Sequence, residues 1–74
     1  DIKKAIGLND KFLFIKDLFE GNSDEYNAFI DELNLAVDDE KAWEIFDAMK
    51  NVKKWDDDKD SYLKLIDFVE RRFL

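Results

Sequence analysis

The chain has 74 residues and a net charge of −7, from 19 acidic and 12 basic side chains, and it contains no histidine, cysteine or proline. This length allows one domain, and the missing residues exclude disulfides and Cys/His zinc sites. The negative charge argues against nucleic acid or an anionic membrane surface as a partner. Without cysteine, a signal peptide or an apolar run that could span a membrane, the chain is expected to be cytoplasmic.

The first third of the chain predicts two helices punctuated by its two glycines. A short helix is expected over residues 1–6, and Gly7 is expected to end it in the left-handed conformation. Asn9 is the predicted N-cap of the second helix, over residues 10–20, which Gly21 ends.

The second helix is apolar on nearly all sides, which is typical of a central helix contacted by several neighbours. Its densest apolar face carries Phe12, Ile15 and Phe19, and we predict these three side chains to be in the core. Leu13 and Phe14 lie off that face.

Three further helices follow, with Asn22 capping the third, Asp38 capping the fourth and Asp56 opening the fifth. Each repeats apolar residues at i, i+3 and i+4, which predicts one buried face. The predicted inward residues are Tyr26, Phe29, Ile30, Leu33 and Val37 in the third helix, Ala42, Ile45, Phe46, Met49 and Val52 in the fourth, and Tyr62, Leu65, Ile66, Val69 and Phe73 in the fifth.

No segment shows the alternation of a β-strand, so the predicted fold class is all-α. We expect one domain over residues 1–74, a compact bundle of four main helices in antiparallel hairpins plus a short N-terminal helix. Because the chain begins at Asp1 without a methionine, we expect it to be a fragment of a longer protein.

An acidic turn precedes the fifth helix and offers a possible metal site. Asp56, Asp58 and Asp60 have the one-three-five spacing of an EF-hand calcium loop, and Asp67 falls at its twelfth position. Ser61, however, occupies the sixth position, where glycine is needed, and a lysine occupies the ninth. We therefore predict an acidic helix start and no metal, with a calcium-binding regulatory domain as the alternative.

The side chains that usually perform catalysis are missing from the sequence. No histidine or cysteine can act as base or nucleophile, and no glycine-rich loop can hold a phosphate. Ser23 and Ser61 are the only serines, and both fall at helix starts. We predict a non-enzymatic domain with no catalytic residue and no cofactor.

Two aromatic side chains, Trp43 and Phe68, lie on the flanks of their helices, away from the main apolar faces. On consecutive antiparallel helices they would form one patch, with Arg71 and Arg72 at its edge. Trp and Arg often dominate the energy of protein interfaces, so these four residues are the candidate partner-binding site. The predicted function is a protein-interaction module that binds a protein partner or self-associates. The alternatives are burial of the flanking residues by neighbouring helices and a structural C-terminal cap.

Four strings of the sequence carry a family resemblance: AIGLNDKFLFI at residues 5–15, LF at 18–19, WD at 55–56 and VERRF at 69–73. Together they resemble a small acidic helical domain at the C-terminus of uncharacterised Bacteroidetes-type bacterial proteins. The resemblance covers nearly the whole chain and is specific at its two ends. It implies a C-terminal fragment that follows a low-complexity region in an intracellular protein, and it implies no activity and no site.

Overall fold

A computed structural model describes residues 1–73. Their five helices are α1 (Ile2–Ala5), α2 (Leu8–Leu18), α3 (Ser23–Leu35), α4 (Asp39–Lys53) and α5 (Asp60–Arg72). Over these residues there is no β-strand, and the predicted all-α bundle with a short leading helix is confirmed. α2 packs on α3 and α5, α1 packs on the same two helices, and α4 packs on α3.

Side chains cap the third and fourth helices as the sequence predicts. The Asn22 side-chain oxygen accepts a 3.0 Å hydrogen bond from the Glu25 N–H, and the Asp38 carboxylate accepts one of 2.9 Å from the Lys41 N–H. Each bond satisfies an N–H group that has no partner inside its helix, which fixes where α3 and α4 begin.

The two glycines have different backbone roles. Gly21 has a φ of 82° and donates its N–H to the Ile15 carbonyl oxygen at 2.9 Å. α2 ends at Leu18, two residues earlier than predicted, and Glu20, with a φ of 55°, is the first left-handed residue after it, so Gly21 completes the turn that Glu20 begins. Gly7 has a φ of −70° and is the N-cap of α2, so the predicted left-handed conformation is wrong. The helix starts at Leu8, which places the predicted cap Asn9 inside α2. An extended Ile6, with a ψ of 116°, already makes the bend after α1.

The fifth helix begins four residues later than predicted, at Asp60 rather than at Asp56. The Asp56 carboxylate accepts a 2.9 Å hydrogen bond from the Asp58 N–H and closes a local turn. Aspartate favours such turns because its side chain competes with the helical hydrogen bonds of the backbone. Lys59 then occupies the N-cap position without a side-chain bond.

Trp55 lies at the centre of the core, in the loop between α4 and α5, and it is buried. Its ring meets those of Phe19, Phe29, Phe46 and Tyr62 at centroid distances of 5.5, 5.9, 5.6 and 6.0 Å. These four rings come from the end of α2 and from α3, α4 and α5. One loop residue therefore joins all four main helices, and such aromatic pairs add to the stability gained by burial.

The inward face of α2 differs from the predicted one. Ile15 and Phe19 are buried as predicted, but Phe12 is 58% exposed, and Phe14 is fully buried in its place. α3 and α5 cover the side of α2 that carries Phe14 and Ile15. Leu8 and Phe12, one turn apart, lie on the uncovered side. The number of apolar residues on each side of α2 therefore predicted the wrong buried face, with Phe12 inside instead of Phe14.

Two of the predicted inward valines are also exposed, Val37 by 90% and Val52 by 74%. Val37 follows an extended Ala36, beyond the end of α3, so the helical period no longer applies to it. In the last turn of α4 the side chain of Lys53, 13% exposed, is covered instead of that of Val52. Four other predicted inward residues are half-buried against the core: Ile45, Met49, Ile66 and Phe73.

Candidate functional site

The predicted partner-binding residues Trp43 and Phe68 are both half-buried and pack against the core. The Trp43 ring meets Phe46 at 5.3 Å, whereas the Phe68 ring meets Phe14 at 6.0 Å. α4 packs on α3, while α5 packs on α2 and α1. The two rings thus have different aromatic neighbours, and that they form one patch stays a prediction.

The other two predicted residues do lie beside Phe68. Phe68, Arg71 and Arg72 line a small depression of about 170 Å³ together with the N-terminal residues. The Arg71 guanidinium lies 5.5 Å from the centroid of the Phe68 ring and also pairs with Asp67. Arg72 donates a 3.5 Å hydrogen bond to the Asn34 carbonyl oxygen. Whether any of the predicted residues binds a partner stays a prediction.

Two of the four carboxylates of the alternative calcium site have separate partners. Asp56 closes its own turn, and Asp67 pairs with Arg71. Asp60 and Asp67 are seven residues apart on α5, about 10 Å along the helix axis, which is too far for one ion. Within residues 1–73, no three acidic side chains are grouped closely enough to hold a metal.

A groove between α3 and α4 is the surface that the sequence analysis missed. It consists of two adjoining depressions of about 380 and 340 Å³, which share Glu32, Lys41 and Ile45. The remaining lining residues are Glu25, Phe29, Glu44, Ala48, Met49 and Val52 in the first depression, and Leu35, Ala36 and Val37 in the second. A helical hairpin with apolar side chains along an open groove can hold part of another protein.

Three of the most exposed large apolar side chains line this groove. Leu35 is 82% exposed, Val37 90% and Val52 74%. In the part of the chain that the structure describes, the other large apolar residues of this kind are Leu8, Phe12 and Leu63. The groove therefore combines a partly buried apolar floor with fully accessible apolar edges.

The hairpin that forms the groove also carries the excess negative charge of the protein. Residues 22–53 hold nine acidic side chains and three lysines, whereas the rest of the chain holds ten acids and nine bases. This imbalance can be read directly from the sequence by counting charge per segment. Counting charge over the whole chain, as in the sequence analysis, does not reveal it.

Lys53 pairs with Glu25, one of the carboxylates that line the groove. Its ammonium also pairs with Glu20, at 3.4 Å, and lies 5.9 Å from the centroid of the Phe19 ring. The hydrogen bond to the Glu25 carboxylate is the main reason why the pKa of Lys53 is raised above its usual value. Lys53 thus remains charged at neutral pH and compensates the acidic side chains nearest to it.

A family model described as Domain of unknown function (DUF8457) matches residues 3–74. The expected resemblance to a family of unknown function is thereby confirmed, while its bacterial group stays a prediction. No curated protein and no solved structure matches the chain significantly. None of the helices within residues 1–73 is long and apolar enough to cross a membrane.

Proposed function

This chain belongs to the DUF8457 family of domains of unknown function, and we propose that it is a non-enzymatic protein-interaction module that binds through the α3–α4 groove. The observation that carries the proposal is the exposure of Leu35, Val37 and Val52 along an open groove. Clustered exposed apolar side chains on a small soluble domain are typical of an interaction surface. The proposal includes a cytoplasmic location, in keeping with a chain without cysteine.

Burial of these side chains by a partner would supply binding energy. Fully covering a valine or leucine side chain contributes about 1.5–3 kcal/mol, before the costs of association are subtracted. The half-buried Ile45 and Met49 offer further apolar contact on the floor of the groove. Trp43 and Phe68 already pack on the core and have less surface left to bury, which favours the groove over these two residues as the main binding site.

The test is a cross-linking capture that uses the full-length protein as bait, with two matched triple variants. The first replaces the exposed groove residues Leu35, Val37 and Val52 with serine. The second makes the same replacement at the exposed apolar residues outside the groove, Leu8, Phe12 and Leu63. Because all six side chains are about half exposed or more, we expect both variants to fold, which circular dichroism would verify.

We expect the wild type and the second variant to capture the same protein and the groove variant to lose it. An identical set of captured proteins from all three baits would favour the structural cap instead. Equal loss from both variants would show that capture depends on general surface hydrophobicity and would contradict a role for the groove.

A further inference from the structure

We infer that the α3–α4 groove receives a basic amphipathic helix of a partner protein. This inference rests on the proposed function and deepens it by giving the chemical class of the partner. Its first observation is the charge of the hairpin, nine acidic side chains against three lysines over residues 22–53. A partner surface of the opposite sign would be attracted to it and oriented by it.

Helix stabilisation accounts for only part of this acidity. Asp24, Glu25, Asp38, Asp39 and Glu40 lie at helix starts, where a carboxylate is favoured by the helix dipole. The other four acids, Asp31, Glu32, Glu44 and Asp47, lie well past the first turn of their helices, where the dipole gives a carboxylate no advantage. Two of these four, Glu32 and Glu44, line the groove.

Glu32 is the least compensated of the groove carboxylates. It makes no ion pair with any of residues 1–73. It also lies in the last turn of α3, which contains no basic residue, so the dipole of the helix adds to its negative potential. A lysine or arginine of the partner would compensate both the Glu32 carboxylate and the negative end of the α3 dipole.

The charge on Glu44 is also available to a partner. Its pair with Lys41 spans 3.5 Å, and both side chains are more than half exposed, at 62% and 57%. Water screens a pair of this kind, so a partner cation can replace or join Lys41 at little cost. The carboxylates of Glu32 and Glu44 thus give the groove an acidic rim on both of its helices.

The apolar residues of the groove indicate a helical partner. Ile45, Met49 and Val52 are spaced i, i+4 and i+7 along α4, which forms a continuous stripe on one wall. Leu35 and Val37 extend the apolar surface at the other end. A helix that binds in such a groove places its own apolar residues, spaced i, i+4 and i+7, against this stripe, and its polar face contacts the acidic rim.

The same charges disfavour a second copy of this chain as the occupant. Two copies joined groove to groove would bring two hairpins together, each with nine acidic side chains and three lysines. Juxtaposed like charges oppose association, especially at low ionic strength. A separate partner with a basic face avoids this repulsion.

The test uses three synthetic helical peptides of 15 residues, the length of α4, with identical leucines at i, i+4 and i+7. Their polar faces carry lysine, glutamine or glutamate. Isothermal titration with the chain should give the lysine peptide a Kd at least about tenfold below that of the glutamine peptide, with the glutamate peptide weakest. Added salt should reduce this difference.

Variants of the chain connect the binding to the groove. The double variant Glu32→Gln and Glu44→Gln should weaken the lysine peptide and leave the glutamine peptide unchanged. The serine variant at Leu35, Val37 and Val52 should weaken both peptides. The variant Asp56→Asn with Asp58→Asn, which removes two carboxylates outside the hairpin, is the control and should leave both affinities as in the wild type.

The outcomes separate this inference from the proposed function. Equal affinity for the lysine and glutamine peptides would overturn the basic partner and leave the groove as a docking site. If the affinity for the lysine peptide falls equally in the Glu32/Glu44 variant and in the Asp56/Asp58 control, the peptide is bound by the overall negative charge of the chain. This result would also overturn the inference. A dimer of the wild type in sedimentation experiments that is lost in the serine variant at Leu35, Val37 and Val52 would also overturn the inference. If no peptide binds, the inference fails, and the capture experiment decides separately whether the interaction role stands.

Discussion

The indole Nε1–H of Trp55 donates a 2.8 Å hydrogen bond to the backbone carbonyl oxygen of Leu18, 37 residues earlier in the chain. Leu18 is the last residue of α2, so its carbonyl has no partner further along the helix. The bond therefore satisfies a buried helix end and at the same time fixes the loop before α5. The central ring of the aromatic cluster is thus held by polar as well as apolar contacts.

We expect Trp55→Phe to lower the free energy of unfolding by about 1–3 kcal/mol, because the Leu18 carbonyl loses its buried partner. Trp55→Ala should cost about 3–5 kcal/mol, since it also leaves a cavity between four rings. Urea denaturation followed by circular dichroism measures both values. An unchanged free energy of unfolding for Trp55→Phe would show that the hydrogen bond contributes nothing measurable.

A second pair of variants tests which aromatic residue of α2 belongs to the core. Phe14→Ala should lower the free energy of unfolding by about 3–5 kcal/mol, because the side chain is fully buried. Phe12→Ala should cost less than about 1 kcal/mol, because its side chain is 58% exposed. The same denaturation experiment measures both. If Phe12→Ala lowers the free energy of unfolding more than Phe14→Ala does, the face predicted from the sequence, with Phe12 in the core, is the correct one.

The start of a helix could be predicted from the sequence where a side chain caps the nearby backbone by a hydrogen bond. The caps Asn22 and Asp38 each satisfy an N–H group three residues later, which is a local and readable interaction. The inward direction of α2 depends instead on where α3 and α5 lie, which no local pattern of Phe12 and Phe14 encodes. Trp55 is a similar case, since its loop has no period and its burial results from tertiary contacts alone.

The groove was less predictable than the helices because it lies between two of them. Val37 and Val52 fit the apolar period and were predicted to point inward, so their exposure emerged only from the packing. The excess of acidic residues over residues 22–53 was readable, and it marks the hairpin without revealing the groove. Apolar residues predicted to be buried and found exposed are therefore the main sign of this surface.

Replacing glycine with serine should have opposite effects on the free energy of unfolding at Gly7 and at Gly21. Gly7→Ser should raise the free energy of unfolding by about 0.5–1 kcal/mol, since serine caps helices well and restricts the unfolded chain. Its φ of −70° suits any residue, and no atom lies within 4 Å of an added Cβ. Gly21→Ser should lower it by about 1–2 kcal/mol, because a φ of 82° is strained for a residue with a Cβ.

Thermal denaturation of the two glycine variants, compared at equal protein concentration, measures both changes. The helical circular-dichroism signal at low temperature is the control that each variant folds. Destabilisation by Gly7→Ser would indicate that this glycine does need the left-handed conformation predicted from the sequence.

The last prediction concerns the stability of the domain in alkaline solution. Burial of the Tyr26 side chain and, to a smaller extent, the negative charge of Asp10 together raise the pKa of its phenol from 10.0 to about 12. The folded protein therefore favours the neutral phenol more strongly than the unfolded chain does. This contribution is fully present below pH 10 and is lost as the pH rises towards about 12.

A shift of this size corresponds to about 2–3 kcal/mol of the free energy of unfolding. Hydrogen bonds to Asp57 and Glu25 raise the pKa values of Lys50 and Lys53, so their contributions also decline at high pH. Urea denaturation of the wild type should show stability falling above about pH 10, and Tyr26→Phe should make this fall shallower. Asp10→Asn should lower the pKa of Tyr26, measured from tyrosinate absorbance, because it removes the smaller cause of the shift. A Tyr26→Phe variant that loses stability as steeply as the wild type would show that the buried phenol does not set the alkaline limit.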